Sequence, residues 1–213
     1  VYNTGHLFGF FSVFNADAVK SVSLIKGGFP AQYGGRLSSV IDIVMKDGNI
    51  NKTEVDAGIG LIASRLAIQG PLIKNKASYI VSARRTYIDA ITNPILGKKN
   101  NYYGSGYYFY DINAKANYQF SNNDRLFLSG YFGRDQFDFN NAKRSFTTSI
   151  PWGNSTATLR WNHVFNQKWF ANTSLIYNDY KFDFNGAQNN FNINVSSGIK
   201  DVNAKTDFDF YPV

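Results

Sequence analysis

From Glu54 onward the chain alternates apolar and polar residues with a period of two, in run after run. Val55, Ala57, Ile59 and Leu61 are apolar, with Glu54, Asp56, Gly58 and Gly60 between them. Leu66, Ile68, Gly70 and Leu72 alternate with Arg65, Ala67 and Gln69, and Tyr79, Val81 and Ala83 with Ser78, Ser82 and Arg84. The clearest run sets Tyr108, Tyr110, Ile112, Ala114, Ala116, Tyr118 and Phe120 against Asp111, Asn113, Lys115, Asn117 and Gln119. Successive side chains of a strand point to opposite faces, so each run predicts a strand with one apolar, aromatic face and one polar face. Ala157, Leu159, Trp161, His163 and Phe165 form another such stripe, as do Trp169, Ala171, Thr173, Leu175 and Tyr177, and Val202, Ala204, Phe208 and Phe210. Residues 125–136 are mixed: Leu126, Leu128 and Phe132 share one face, but Phe127 and Tyr131 fall on the other. The total is about eight strands, mostly long and antiparallel.

The connections are expected to alternate in length. Pro71 to Lys76, Ser121 to Asp124 and Asn166 to Lys168 are short and polar. Ile88 to Gly106, Asp138 to Ser149 and Asn185 to Asn190 are expected to be longer loops, the first an exposed one rich in Asn, Gly, Lys and Tyr. Long strands, aromatic residues at the ends of the apolar stripes and alternating loop lengths are features of a transmembrane β-barrel, with tight turns on one side and longer loops on the other.

Residues before Glu54 follow a different pattern. Residues 2–14 are rich in Gly and Phe, and a short helix is expected around His6 to Phe14. Val19 to Ile25 is β-branched and apolar, and Val40-Ile41-Asp42-Ile43-Val44 is a second strand. Between them lie Gly27-Gly28, Pro30 and Gly34-Gly35, a turn in which glycine supplies backbone angles that other residues strain to reach. The stretch marks the boundary between two architectures.

This stretch resembles the end of the plug domain of TonB-dependent outer-membrane receptors, in particular the Bacteroidetes type. The similarity is carried by Ser21-Val22-Ser23-Leu24-Ile25-Lys26-Gly27, by Ala31-Gln32-Tyr33-Gly34, by Leu37-Ser38-Ser39-Val40-Ile41-Asp42-Ile43 and by Lys46. Val1-Tyr2-Asn3 and Phe14-Asn15-Ala16-Asp17-Ala18-Val19 fit the same plugs. The chain departs from them at Ala16, where a proline is common, and at Gln32, where many members carry an arginine that makes plug-to-barrel charge contacts.

The resemblance implies a mostly β chain: the C-terminal part of a plug over residues 1–50, then the first strands of a barrel over residues 51–213. A barrel closed by eight strands is filled by its own side chains, so a plug implies a wide barrel of the ~22-strand class, the rest of which lies outside this chain. It implies a plug turn built on Gly27, Gly28, Tyr33, Gly34, Gly35 and Arg36. Arg36 is placed to pair with a carboxylate such as Glu54 or Asp56. Apical ligand contacts fall to Tyr2, His6, Phe8 and Phe11.

Composition sharpens the picture. Aromatic residues make up 17% of the chain and charged residues also 17%, and the mean hydropathy is −0.29. No apolar run approaches the ~20 residues of a transmembrane helix. There is no cysteine, hence no disulfide framework. The net charge of +7 comes from scattered basic residues, which argues against a nucleic-acid surface. No Gly-x-Ser-x-Gly, P-loop or His-Glu-x-x-His motif occurs, and no helix follows Gly27-Gly28 as a dinucleotide fingerprint needs. No enzyme activity, cofactor or metal is expected.

By resemblance, the protein is expected to take up a scarce nutrient (a siderophore, cofactor, oligosaccharide or peptide) across the outer membrane of a Gram-negative bacterium. Its partners would be outer-membrane lipid, the TonB system acting through a segment upstream of this chain, and a surface lipoprotein or envelope-complex subunit. The alternatives are an accessory outer-membrane barrel without transport and a soluble β-rich binding module such as an adhesin sandwich.

Overall fold

The computed structural model describes residues 2–6, 9–28, 33 and 39–212. It is mostly β, with 68% of residues in strands and 8% in helix. Three short N-terminal elements lead into the sheet. Strands β1 (Gly5–His6) and β2 (Phe11–Ser12) pair with each other, and a 3-10 turn (Ala16–Ala18) is capped by Asn15, whose side chain accepts from the Asp17 N–H at 3.0 Å. Strands β3 (Val19–Lys26) and β4 (Ser39–Met45) form an antiparallel pair, as the β-branched runs imply. Where a helix is expected around His6 to Phe14, the described residues form strands β1 and β2, with a single residue of 3-10 conformation at Gly9. Gly9 has a φ of +101°, and it helps reverse the chain between β1 and β2 instead.

The remaining strands make one eight-stranded antiparallel meander. They are β5 (Glu54–Ile59), β6 (Ala63–Ile73), β7 (Ala77–Thr86), β8 (Gly106–Gln119), β9 (Asp124–Asn141), β10 (Phe146–Val164), β11 (Trp169–Gln188) and β12 (Phe191–Phe210). Each pairs with its sequence neighbours, leaving β5 and β12 as the two edges. The longest strands have 20 residues, roughly 65 Å at about 3.3 Å per residue.

Two expected loops prove to be strand. Residues 138–149 continue β9 to Asn141 and start β10 at Phe146, with a 3-10 turn (Ala142–Arg144) between them. Residues 185–190 continue β11 to Gln188, and β12 begins at Phe191. Cross-strand ladders such as Asn141 to Phe146 and Gln188 to Phe191 satisfy the backbone there despite the Asn-rich sequence. The third expected loop, residues 88–106, contains helix α1 (Ile88–Leu96), which ends at Gly97 with a φ of +70°. Asn93 fastens the following turn by accepting from the Gly104 N–H at 3.1 Å.

Period two divides the sheet into two faces, and the register aligns them across strands. One row runs Tyr79, Ala116, Leu128, Leu159, Leu175, Ala204; the next runs Val81, Ala114, Gly130, Ala157, Tyr177, Val202. These rows are apolar, and among the described residues no second sheet packs on them: Ile112 is 44% exposed, Leu159 42% and Trp161 42%. The opposite face is polar, and its central part is covered by the N-terminal segment, while Arg160, Asn203 and Lys205 on the same face are exposed. Asp111, Asn113, Asn117, Asp135, Asn154 and Ser174 are all buried there. Phe127 and Tyr131 sit on this covered face, Phe127 beneath the Lys115 ammonium at 5.3 Å, which explains the mixed pattern of residues 125–136.

The segment is anchored to the covered face at several points. Arg65 pairs with Asp17 at 2.5 Å and with Asp56 at 3.1 Å, and Lys115 pairs with Asp47 at 2.8 Å. Gly48 packs against β7 so closely that a Cβ would lie 1.9 Å from the Tyr79 carbonyl oxygen. Gly27 and Gly28, at the end of β3, have φ of +67° and +55°, the left-handed values expected of them. Gly34, Gly35 and Arg36 lie outside the described residues, as does Phe8. Among the described residues, Glu54 pairs with Lys52 and Asp56 with Arg65.

Two glycine substitutions should separate close approach from backbone conformation. Gly48→Ala is expected to lower stability by about 1–3 kcal/mol, because backbone cannot move aside as a side-chain tip can. Gly28→Ala meets no atom within 4 Å, so its cost should be only that of a left-handed backbone, about 1–2 kcal/mol. Denaturant midpoints of both variants check the ranking; a neutral Gly48→Ala would show that β7 does not contact this segment.

Candidate functional site

The densest polar arrangement lies where β1 meets the covered face of β7, β8 and β9. Alternation brings Arg84 of β7, Phe109 and Asp111 of β8, and Tyr131 and Asp135 of β9 to that face, and Arg84 is the direct register partner of Asp111. Phe109 is fully buried, together with Tyr107 and Trp152, and Phe11, Phe137, Ile150 and Phe182 pack around them. The His6 imidazole stacks on the Phe109 ring at 4.1 Å between centroids with planes 4° apart, and the Arg84 guanidinium lies 5.0 Å from that ring's centroid.

Hydrogen bonds complete the cluster. Arg84 donates from Nε and Nη2 to one Asp111 oxygen at 2.9 and 2.6 Å, and from Nη2 to the Ser12 carbonyl at 2.7 Å. His6 places Nδ1 2.7 Å from Asp135 and Nε2 3.4 Å from Asp111. The Tyr107 hydroxyl donates to the other Asp135 oxygen, and the Tyr131 hydroxyl stands 3.4 Å from His6 Nε2. Among the described residues, the charged and titratable groups facing these two buried carboxylates include one permanent cation, Arg84, and one imidazole, His6. Protonated His6 balances the charge of these four groups, and neutral His6 leaves them one negative charge in excess in a low-dielectric site.

That balance sets the protonation of His6. Burial is the largest single influence and opposes the charged ring. Hydrogen bonds to Asp111 and Asp135, with the negative charges of both, outweigh it, so the pKa lies above the ordinary 6.5.

Beside the cluster is a cleft of about 460 Å³ between the N-terminal segment and strands β10 and β11. Phe11, Trp152, Tyr180 and Phe182 form its aromatic wall, and Asn3, Thr4 and Ser12 supply polar groups. An aromatic wall with a few convergent polar groups is the usual make-up of a small-molecule site. Of the expected apical residues, Phe11 lines this cleft. Tyr2 stands at its rim, 48% exposed, 6.5 Å from the Tyr180 ring and hydrogen-bonded to Asp201. His6 is 1% exposed and serves the charge cluster rather than the cleft. Asn154 ties the segment to β10, accepting from the Tyr2 and Asn3 N–H groups and donating to the Asn3 carbonyl at 3.0 Å. Among the described residues no group of three or more His, Cys, Asp or Glu side chains is arranged to hold a metal ion.

Sequence reasoning missed the partners of His6 and the aromatic wall, although Arg84 and Asp111 stand at polar positions of consecutive strands, a legible signal for a cross-strand pair. No known protein family, characterised protein or solved structure matches the chain.

The site has an expected pH dependence. Because the folded pKa of His6 is raised, its contribution to docking is complete below about pH 6.5, the unfolded value, and is lost as pH rises through the folded value. The groups facing it are Asp111, Asp135, Arg84, Tyr107 and Tyr131. Limited proteolysis of the N-terminal segment should accelerate in the wild type as pH rises above 6.5 and through the raised folded value, and this acceleration should be absent in His6→Gln. A titration placing the His6 pKa below 6.5 would contradict this balance.

Proposed function

We propose that the chain is the C-terminal part of a plug, residues 1–50, joined to the first eight strands, residues 51–213, of a large transmembrane β-barrel, and that it serves TonB-dependent uptake of a scarce nutrient across the outer membrane of a Gram-negative bacterium. The observation that carries this is the exposed apolar band. On β11 the outward positions are Trp169, Ala171, Thr173, Leu175 and Tyr177, after which Asp179, Lys181 and Asp183 take over. Nine residues bounded by aromatic rings match the ~9–11 residues a tilted strand needs to cross a bilayer. On β10 the outward positions His163, Trp161, Leu159 and Ala157 continue the band, with Phe165 just past the strand's end, and on β12 Phe210, Phe208, Ala204 and Val202 do so, each with aromatic rings at the short-turn end.

The motifs of residues 19–46 support the plug half, as does the way the segment lies on the polar face. In this reading the open edges β5 and β12 are completed by further strands of the same protein, and the cleft beside Trp152 receives the substrate, a small molecule, glycan or peptide. The plug would be displaced by force relayed through TonB to a segment upstream, with a surface lipoprotein as a further partner. A charge-neutral cluster suits such a plug, because breaking it exposes two carboxylates and two cations to water that can solvate them.

Cysteine labelling in intact membranes tests the assignment. Leu159 and Arg160 are neighbours on β10 that face opposite sides, and both are exposed in the chain alone. With a water-soluble thiol reagent, Arg160→Cys is expected to label at least tenfold faster than Leu159→Cys, and Leu175→Cys should behave like Leu159→Cys. Equal labelling at these positions would leave no lipid face and would sink the barrel assignment.

A further inference from the structure

Basic residues that are scattered along the sequence meet at the tip of the sheet away from the short turns. Three segments form this tip: residues 97–105 after α1, residues 139–148 around the β9–β10 turn, and residues 184–195 around the β11–β12 turn. Hydrogen bonds join them. The Ala142 N–H donates to the Asn101 carbonyl at 2.8 Å, and the Asn189 N–H to the Ser145 carbonyl at 3.2 Å. The Asn140 side-chain amide donates to the Tyr103 carbonyl at 2.8 Å. Lys98, Lys99, Lys143 and Arg144 are thereby gathered on neighbouring loops, and all four are exposed. The same three segments contain no Asp or Glu. None of the four cations forms an ion pair among the described residues. Their charges reinforce one another, and only an anion from outside relieves that repulsion.

Just below the tip, the outward face carries amides and hydroxyls. Consecutive register rows run Asp138, Ser149, Asn185, Asn194 and Asn140, Thr147, Ala187, Asn192. These rows line a cavity of about 480 Å³, with Gly104 at its edge. Among the described residues no cation lines it, and its one carboxylate, Asp138, accepts from the Gln136 amide at 2.7 Å. The cavity suits a neutral ring bearing hydroxyls, which can donate to Asp138 and pair with the amides in either direction. The tip suits carboxylates.

We propose that this tip binds an acidic polysaccharide, with uronate carboxylates on Lys98, Lys99, Lys143 and Arg144 and ring hydroxyls on the amide rows below. Chemistry chooses among the polyanions. A nucleic acid carries a charge on every unit and would bring phosphate against Asp138. An acidic peptide offers few hydroxyls to the amide rows. Bilayer headgroups are out of reach in the barrel reading. On β10 the apolar band ends at Ala157, and Phe146 lies eleven positions farther along, about 36 Å at ordinary strand rise. That is several times the Debye length of about 8–10 Å. The rows lie on the face opposite the Trp152 cleft, so this site is separate from the one proposed for the transported substrate.

Calorimetric titration of the intact protein in detergent tests it, with oligogalacturonate, its methyl ester, single-stranded DNA and polyglutamate as probes. Oligogalacturonate should bind at least about tenfold more tightly than the uncharged ester, and the preference should shrink as ionic strength rises. The quadruple variant Lys98→Gln/Lys99→Gln/Lys143→Gln/Arg144→Gln should abolish the preference. Lys168→Gln, in a short turn at the opposite end, should leave it intact. Asn185→Ala/Asn194→Ala should weaken binding of the acid and the ester alike. Equal binding of acid and ester, or a preference that survives in the quadruple variant, overturns the proposal. Tighter binding of DNA or polyglutamate than of oligogalacturonate, or no effect of the asparagine substitutions, shows a charge surface without sugar recognition and also overturns it. Failure here leaves the barrel reading standing, because labelling at Leu159 and Arg160 reads the lipid face separately.

Discussion

The structure depends on the neutrality of one buried set of charges. Asp111 and Asp135 stand on the covered face of β8 and β9 with almost no access to water. Burying one carboxylate unpaired is among the most expensive things a fold can do, and removing one partner of a buried pair typically costs about 3–5 kcal/mol. Arg84 comes from the next strand and is present whether or not the N-terminal segment is docked. His6 comes from the segment itself, so only docking completes the balance. The aromatic rings around Phe109 exclude the water that would otherwise screen these charges, and the stacking of His6 on Phe109 fixes the imidazole where both carboxylates can reach it. Packing and electrostatics therefore select the same placement of the segment.

The two faces of the sheet follow from the same alternation but are covered differently. Inward positions carry Asn, Asp, Ser and Arg, which find partners in the segment or across strands, as Asn117 does in donating to Ser78 at 2.7 Å. Outward positions carry apolar residues over a limited length and charged ones beyond it. A water-soluble sheet with this much uncovered apolar area would associate through it. In the proposed barrel a lipid solvent would remove that liability, and the aromatic pairs at the short-turn end, Tyr118 with Phe120 and Trp169 with Phe210, would stand where rings favour an interface.

Much of this was legible in the sequence, for a physical reason. Period two over long runs leaves little ambiguity about strand identity or face, so the eight strands and the facing of Ile112, Leu159 and Trp161 follow from residue order. Extension of β9, β10 and β11 past the band was not legible. There Asn, Gly and Phe replace the clean alternation, because neither face meets a uniform apolar surroundings and the ladder alone holds the strands. Helix α1 was hidden by Pro94 and by the Asn- and Gly-rich residues after it. The cluster was hidden for a different reason: His6 and Asp135 are 129 residues apart, and nothing local marks a histidine whose partners are brought to it by the sheet.

The central claim is that one face of this sheet is built for lipid and the other for the N-terminal segment. Its most direct test is quenching of tryptophan fluorescence by lipids brominated in their acyl chains, in variants that keep one tryptophan each. Trp161 lies on the apolar rows and Trp152 is buried on the covered face. The account expects strong quenching with Trp161 alone and little with Trp152 alone. Equal quenching of the two, or quenching of Trp152 but not Trp161, would contradict it.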